Sequence, residues 1–196
     1  SFGFDSAAKT YSEEIGNIGE YIKSTQLDYF FVRLMGRSAS HVTLECALQT
    51  KPNICFISEE VLKLKLTLAD IIRELVELVT TRAAIGKHYG LVLIPEGLVE
   101  FIPELRDLIS EINHSLCSDE QCDVAGLNKC LTTPSRLLFE SLPDYIKEQL
   151  LLERDAHGNV PVSRIESEKL LAFMVAKELE ILRKREGSYK GVFSPQ

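Results

Sequence analysis

The chain has 196 residues, of which 45% are hydrophobic and 26% charged, and its formal net charge is −7 at pH 7. These values are typical of a globular protein with a substantial core, and the acidic balance argues against nucleic acid as a partner. No apolar run reaches the ~18 residues of a membrane span, and residues 1–10 lack a secretory signal pattern, so we expect no membrane partner.

Helical and strand-like patterns alternate along the first hundred residues. Apolar residues at helical spacing, with short apolar runs between them, predict these elements in chain order: helix 5–23, strand 29–35, helix 40–49, strand 53–57, helix 67–86 and strand 91–94. Thr67 with Asp70 three residues later resembles a capping box, which marks a helix start. Alternating elements with continuously apolar strands predict an α/β fold, a parallel sheet with helices on both faces.

The second half of the chain has few strand patterns. Its amphipathic stretches, prolines and charged faces predict helices over 103–113, from 133 onward, over 143–152 and over 165–185. We therefore expect an α/β portion over residues 1–100 and a mostly helical region over 101–196 packed on it. Residues 188–196 look like a tail linker.

Five cysteines do not form an obvious framework. Cys46 and Cys55 lie in apolar patterns, where a thiol behaves as a small hydrophobic group. The other three lie near His114, where a zinc site can be imagined, but the gap between Cys117 and Cys122 is not the tight pair typical of zinc. We therefore expect reduced thiols, no metal site and a cytoplasmic protein.

The segment after the first predicted strand is suited to hold an anion. Gly36 permits a tight turn and close approach of a ligand, and Arg37 adds a permanent cation with a planar set of donors. The start of the next helix supplies unpaired N–H groups. A plain strand–turn–helix joint with Ser38 or Ser40 as N-cap explains the same residues.

Glu96 follows the third predicted strand as Gly36 and Arg37 follow the first. In an open parallel sheet both would emerge at the carboxyl edge, where ligands bind. A cation for a phosphate and a carboxylate for hydroxyls suit a sugar phosphate, although a capping or surface carboxylate is the more ordinary role for Glu96. Arg33 is either an ion-pair partner behind this edge or a solvated side chain.

A series of motifs runs through the chain in a fixed order. It comprises RLMGRSASHVTLECALQTKPN at 33–53, SEE at 58–60, LIPEGL at 93–98, LLLERDAHGN at 150–159 and EKLL at 168–171. This series closely resembles the diphosphate-dependent phosphofructokinases, in particular their long form. The resemblance covers essentially the whole chain.

The resemblance implies a phosphofructokinase-like, Rossmann-type fold and specific roles at the sheet edge. Met35 and Gly36 would contact fructose 6-phosphate through backbone and apolar surface. Arg37 would lie beside the phosphoryl group during its transfer and stabilise the negative charge of the transition state. Glu96 would accept hydrogen bonds from sugar hydroxyls.

The resemblance also implies what the chain lacks. In the family, a catalytic Asp in a Thr-Ile-Asp or Thr-Val-Asp motif, and a Gly-Gly-Asp segment for diphosphate and magnesium, lie upstream of the stretch that matches Ser1. A Tyr-Glu-Gly-Arg segment of the sugar-phosphate site would follow Gln196. We therefore interpret the chain as an internal fragment, inactive alone, whose parent binds Mg²⁺ through residues outside it.

Two alternatives and one departure remain open. The parent could be an ATP-dependent phosphofructokinase, since the donor half is absent, or a non-catalytic regulatory subunit of the same family. The family implies a homo-oligomer, at least a dimer. Many relatives carry Lys-Tyr where this chain has Leu27-Asp28, and an Asp would repel phosphate, so a contact of this pair with a neighbouring subunit's substrate is not carried over.

Overall fold

The computed structural model describes residues 3–36, 40–116, 131–152, 159–186 and 191–196. In chain order they form α1 (Phe4–Thr25), β1 (Tyr29–Leu34), α2 (His41–Thr50), β2 (Ile54–Cys55), α3 (Ser58–Leu64), α4 (Leu68–Ala84), β3 (Gly90–Pro95), α5 (Leu98–Phe101), α6 (Pro103–Leu116), α7 (Thr133–Ser141), α8 (Asp144–Leu152), a 3-10 turn (Val162–Arg164) and α9 (Ser167–Glu186).

The three strands form a parallel sheet in the order β1-β3-β2. β1 pairs with β3 along its whole length, from Tyr29 opposite Gly90 to Leu34 opposite Pro95. β2 is shorter than the predicted strand 53–57 because α3 begins three residues after it. The predicted parallel α/β sheet is confirmed. α3 was not predicted, because its seven residues are too few to show a clear helical period.

Side chains alternate between the two faces of β1, as in any strand. Tyr29 and Phe31 join the larger core, which also contains the buried residues of α4, α6 and α9. Leu34 belongs to a smaller core on the other face, where Phe30 and Val32 pack beside residues of α1 and α2. Helices therefore cover both faces, and the continuously apolar strands follow from this burial.

The described parts of the second half are helical, as predicted. The apolar stripe of α6 is buried, with Leu105, Leu108, Ile109 and Ile112 between 0% and 8% exposed. The larger core joins residues of both halves, so the division near residue 100 stays a prediction. Residues 117–130 and 153–158 lie outside the described residues. Within the described ranges, no helix is long and apolar enough to cross a membrane.

The last residues differ from the expected linker, because residues 193–196 lie along the outer edge of β1. The N–H groups of Tyr29 and Phe31 donate to the carbonyls of Ser194 (2.9 Å) and Gln196 (3.0 Å), and Gln196 N–H donates back to Tyr29 (2.9 Å). The Phe193 ring lies 5.3 Å from that of Tyr29 and 6.3 Å from that of Phe31. Free strand edges and buried aromatic surface favour such pairing over an unattached tail.

The capping box at the start of α4 is formed as predicted. Asp70 N–H donates to Thr67 Oγ1 at 3.1 Å, and Thr67 N–H donates to the Asp70 carboxylate at 3.0 Å. Because a lost N-cap leaves helix N–H groups unpaired, we expect Thr67→Ala to lower the free energy of unfolding by about 1 kcal/mol.

Urea unfolding followed by circular dichroism would measure this loss. Thr81→Ala, at an exposed position in the last turn of α4, is the matched control and should leave stability nearly unchanged. Equal effects of the two variants would contradict the capping role.

Candidate functional site

The segments that follow β1 and β3 meet at the carboxyl edge of the sheet. Glu96 N–H donates to the Leu34 carbonyl at 2.8 Å, and Gly97 N–H donates to the Gly36 carbonyl at 3.2 Å. Gly36 N–H in turn donates to Glu96 Oε2 at 3.3 Å. The structure thus brings together Gly36 and Glu96, as the strand-end argument predicted.

The conformation of Gly36 requires glycine. Its φ is +145°, a region that residues with a Cβ rarely adopt. Its N–H and its carbonyl are used in the bonds to Glu96 and Gly97, so the glycine fixes the path of the chain at this edge. In a turn of this kind directly after a strand, backbone N–H groups can face a small anionic molecule.

Met35 and Arg37 flank this glycine. Met35 is 66% exposed, so its apolar side chain lies at the surface of the edge, where it can contact a ligand. Arg37 lies outside the described residues, together with Ser38 and Ala39. Its role therefore stays a prediction.

A second carboxylate reaches the same edge from the segment after β2. Ser40 N–H donates to Glu59 Oε1 at 2.9 Å, and Ser58 N–H donates to Ser40 Oγ at 2.9 Å. Burial alone would raise the pKa of Glu59, but hydrogen bonds from Ser40 and from the backbone N–H of Glu59, together with the nearby His41, hold this pKa below its ordinary value. Ser40 therefore ties the start of α2 to α3 and does not cap α2 with its side chain.

The link between Ser40 and Glu59 was not predicted from the sequence. Its partners are 19 residues apart, one just before α2 and the other in α3, a helix that was not predicted. The one available signal was the run Ser58-Glu59-Glu60 directly after a strand, where an acidic side chain in a helix's first turn is favoured.

Arg33 is an ion-pair partner and not a solvated side chain. Its Nη1 donates to the Ile165 carbonyl at 2.6 Å and to the Ser163 carbonyl at 3.4 Å. Its Nε lies 3.2 Å from Glu168 Oε2, and the two side chains are 25% and 21% exposed. This confirms the ion-pair alternative and connects the end of β1 to the start of α9.

The described residues contain no group of three or more His, Cys, Asp or Glu side chains that could hold a metal ion. Cys46 and Cys55 are free thiols, and burial raises the pKa of Cys55 to about 11, so it stays protonated at neutral pH. The remaining cysteines, Cys117, Cys122 and Cys130, lie outside the described residues.

The edge offers a small set of chemical groups. Glu96 is half-buried, and Gly36 is the described residue that donates to one of its carboxylate oxygens. A carboxylate held by one oxygen still accepts hydrogen bonds from hydroxyl groups through its remaining lone pairs. Beside a glycine turn and the exposed side chain of Met35, this arrangement suits a polyhydroxylated ligand.

Comparison with known proteins adds independent information. Residues 1–135 match the phosphofructokinase family. The beta subunit of pyrophosphate–fructose 6-phosphate 1-phosphotransferase from Ricinus communis is 55% identical over 197 residues, which cover 100% of this chain and 35% of the relative.

Two further relatives carry similar names. Pyrophosphate–fructose 6-phosphate 1-phosphotransferase from Treponema pallidum is 49% identical over 203 residues, covering 99% of this chain and 35% of the relative. The alpha 2 subunit of the Arabidopsis thaliana enzyme is 47% identical over 189 residues, covering 96% of this chain and 30% of the relative. The chain thus spans about a third of the length of the curated relatives it matches.

Proposed function

The chain belongs to the phosphofructokinase family, and we propose that its full-length parent transfers a phosphoryl group from diphosphate to the 1-hydroxyl of fructose 6-phosphate. The products are fructose 1,6-bisphosphate and phosphate, and the reaction is reversible. The observation that carries the proposal is the contact between Gly36 and Glu96 at the carboxyl edge of the sheet. Relatives named for this reaction match nearly the whole chain at 49–55% identity.

In this proposal the chain forms one wall of the acceptor site. Glu96 accepts hydrogen bonds from sugar hydroxyls, while Met35 and the Gly36 backbone contact the sugar. Arg37 stabilises the negative charge that develops on the transferred group as it passes in line from donor to acceptor oxygen. The general base that takes the hydroxyl proton is an Asp outside this chain.

Magnesium belongs to the donor side of the proposed reaction. The ion would neutralise diphosphate charge when bound. As the family resemblance implies, we assign its ligands to sequence outside this chain and derive no step from it here.

We also propose that the parent is cytoplasmic and a homo-oligomer, at least a dimer. Relatives whose names include the word subunit support an assembly. Light scattering coupled to gel filtration of the parent would measure its mass, and a monomer would contradict the proposal.

The initial rate of the full-length parent with fructose 6-phosphate and Mg²⁺, compared between diphosphate and ATP as donors, tests the proposed function. We expect turnover with diphosphate alone. Turnover with ATP alone would keep the sugar site and overturn the donor. Turnover with neither would favour a non-catalytic subunit of the family.

The isolated chain is expected to be inactive in the same assay, because the base and the diphosphate site lie outside it. Turnover above background by the pure chain would contradict this expectation.

A further inference from the structure

We propose that Arg33 is a positioning residue that holds the Met35–Gly36 turn in place through the start of α9. The inference rests on the proposed function, in which this turn contacts the sugar. It goes further by assigning a role to the helical second half of the chain in shaping the acceptor site.

The position of Arg33 in β1 makes this role possible. It pairs with Ile94 in the ladder with β3 and lies two residues before Met35. Its neighbours Val32 and Leu34 point into the smaller core on one face of the sheet. Because side chains alternate along a strand, Arg33 points to the other face, toward α9.

On that face one guanidinium contacts three acceptors from a single short segment. These are the carbonyls of Ser163 and Ile165 at the 3-10 turn and the carboxylate of Glu168 in the first turn of α9. A guanidinium has five N–H donors in a rigid plane, so it can bind several acceptors at once. Lysine has one flexible ammonium and cannot reproduce this geometry.

The surroundings make these contacts costly to lose. Glu168 Oε2 is buried and makes no directed hydrogen bond, although Arg33 Nε lies 3.2 Å away. Without the guanidinium, a buried carboxylate oxygen and the Ile165 carbonyl would lose their partner, which the surrounding structure can relieve only by moving. The segment before α9 and the end of β1 would then separate.

Such a movement would reach the sugar site through β1. The Leu34 carbonyl accepts from Glu96, and Gly36 both donates to Glu96 and accepts from Gly97. Displacement of the strand end by a fraction of an ångström would lengthen these bonds and change the spacing of Gly36 and Glu96. Positioning effects of this size are enough to weaken binding of an oriented ligand.

The test compares Arg33→Met with Lys169→Met in the full-length parent. Lys169 lies in the same turn of α9, pairs with Glu166 at 2.6 Å and is 61% exposed, so its loss removes a cation without touching β1. We expect Arg33→Met to raise the KM for fructose 6-phosphate by about three- to tenfold, with kcat and the KM for diphosphate changed less than twofold. Glu168→Gln should also raise the KM for fructose 6-phosphate. Lys169→Met should leave this KM, kcat and the KM for diphosphate unchanged.

A purely structural role for Arg33 gives a different result. If Arg33→Met lowers the unfolding temperature but leaves the KM for fructose 6-phosphate unchanged, the inference is wrong. Thr67→Ala calibrates this comparison, since it is expected to reduce stability without a change in KM.

Hydrogen exchange separates this inference from the proposed function. The amides of Gly36, Glu96 and Gly97 should exchange faster in Arg33→Met than in the wild type or Lys169→Met. If the wild-type parent fails to use fructose 6-phosphate, the proposed function is wrong. If exchange at these amides is unchanged in Arg33→Met, the positioning role is wrong, whatever the outcome of the activity assay.

Discussion

Replacing Arg37 with alanine in the full-length parent is expected to lower kcat by about 30- to 1,000-fold, with a smaller change in KM. The range corresponds to ~2–4 kcal/mol of barrier, the loss typical of one donor to a developing negative charge. Such a donor acts chiefly in the transition state, so its loss appears in turnover more than in ground-state binding.

Initial rates over a range of fructose 6-phosphate concentrations measure this effect. Arg73→Ala is the control, because Arg73 is an exposed cation on α4 whose partner is Asp70. Arg37→Lys keeps the charge but loses the planar donors, so an intermediate rate is expected. An unchanged kcat in Arg37→Ala would remove Arg37 from the mechanism.

Glu96→Gln is expected to lower kcat/KM for fructose 6-phosphate by about 10- to 150-fold, mainly through KM. This loss in kcat/KM corresponds to the ~1.5–3 kcal/mol that a hydrogen bond to a charged group typically contributes. Glutamine keeps the size of glutamate and one acceptor oxygen, so the bond from Gly36 N–H can persist while the charge and half the acceptor capacity are lost.

This choice separates binding of the sugar from support of the turn. If Glu96 only holds Gly36, Glu96→Gln should be nearly normal and Glu96→Ala should be impaired. If Glu96 binds hydroxyls, both should be impaired. Glu60→Gln, an exposed carboxylate in the first turn of α3, should behave as the wild type.

Local patterns predicted the long elements well. The stripe of α4 that repeats every three or four residues is buried as expected, and its capping box is formed, because both depend on neighbours within one helix. α3 was beyond this reasoning, since its seven residues hold too little periodicity. The strand predicted over 53–57 is present, but it is limited to Ile54–Cys55. The pairing of residues 193–196 with β1 could not be predicted locally, because Tyr29 and Pro195 lie more than 160 residues apart.

In the candidate site, too, some contacts could be predicted from local sequence and others depend on distant residues. The meeting of Gly36 with Glu96 followed from sequence because parallel strands in register deliver their ends to one edge. The partners of Arg33 did not follow, because Ile165 and Glu168 lie more than 130 residues from it and only the packed fold sets that distance. The Ser40–Glu59 bond likewise depends on the orientation of two helix starts.

The pairing of residues 193–196 with β1 also limits self-association through the edge of the sheet. An uncovered β1 would present a row of backbone donors and acceptors, together with the aromatic surface that Phe193 now covers, to any second copy. The covering segment is itself a poor template, because Pro195, opposite Tyr29, has no N–H to offer outward. We therefore expect self-association to depend on residues 193–196, although they lie far in sequence from the Gly36–Glu96 contact.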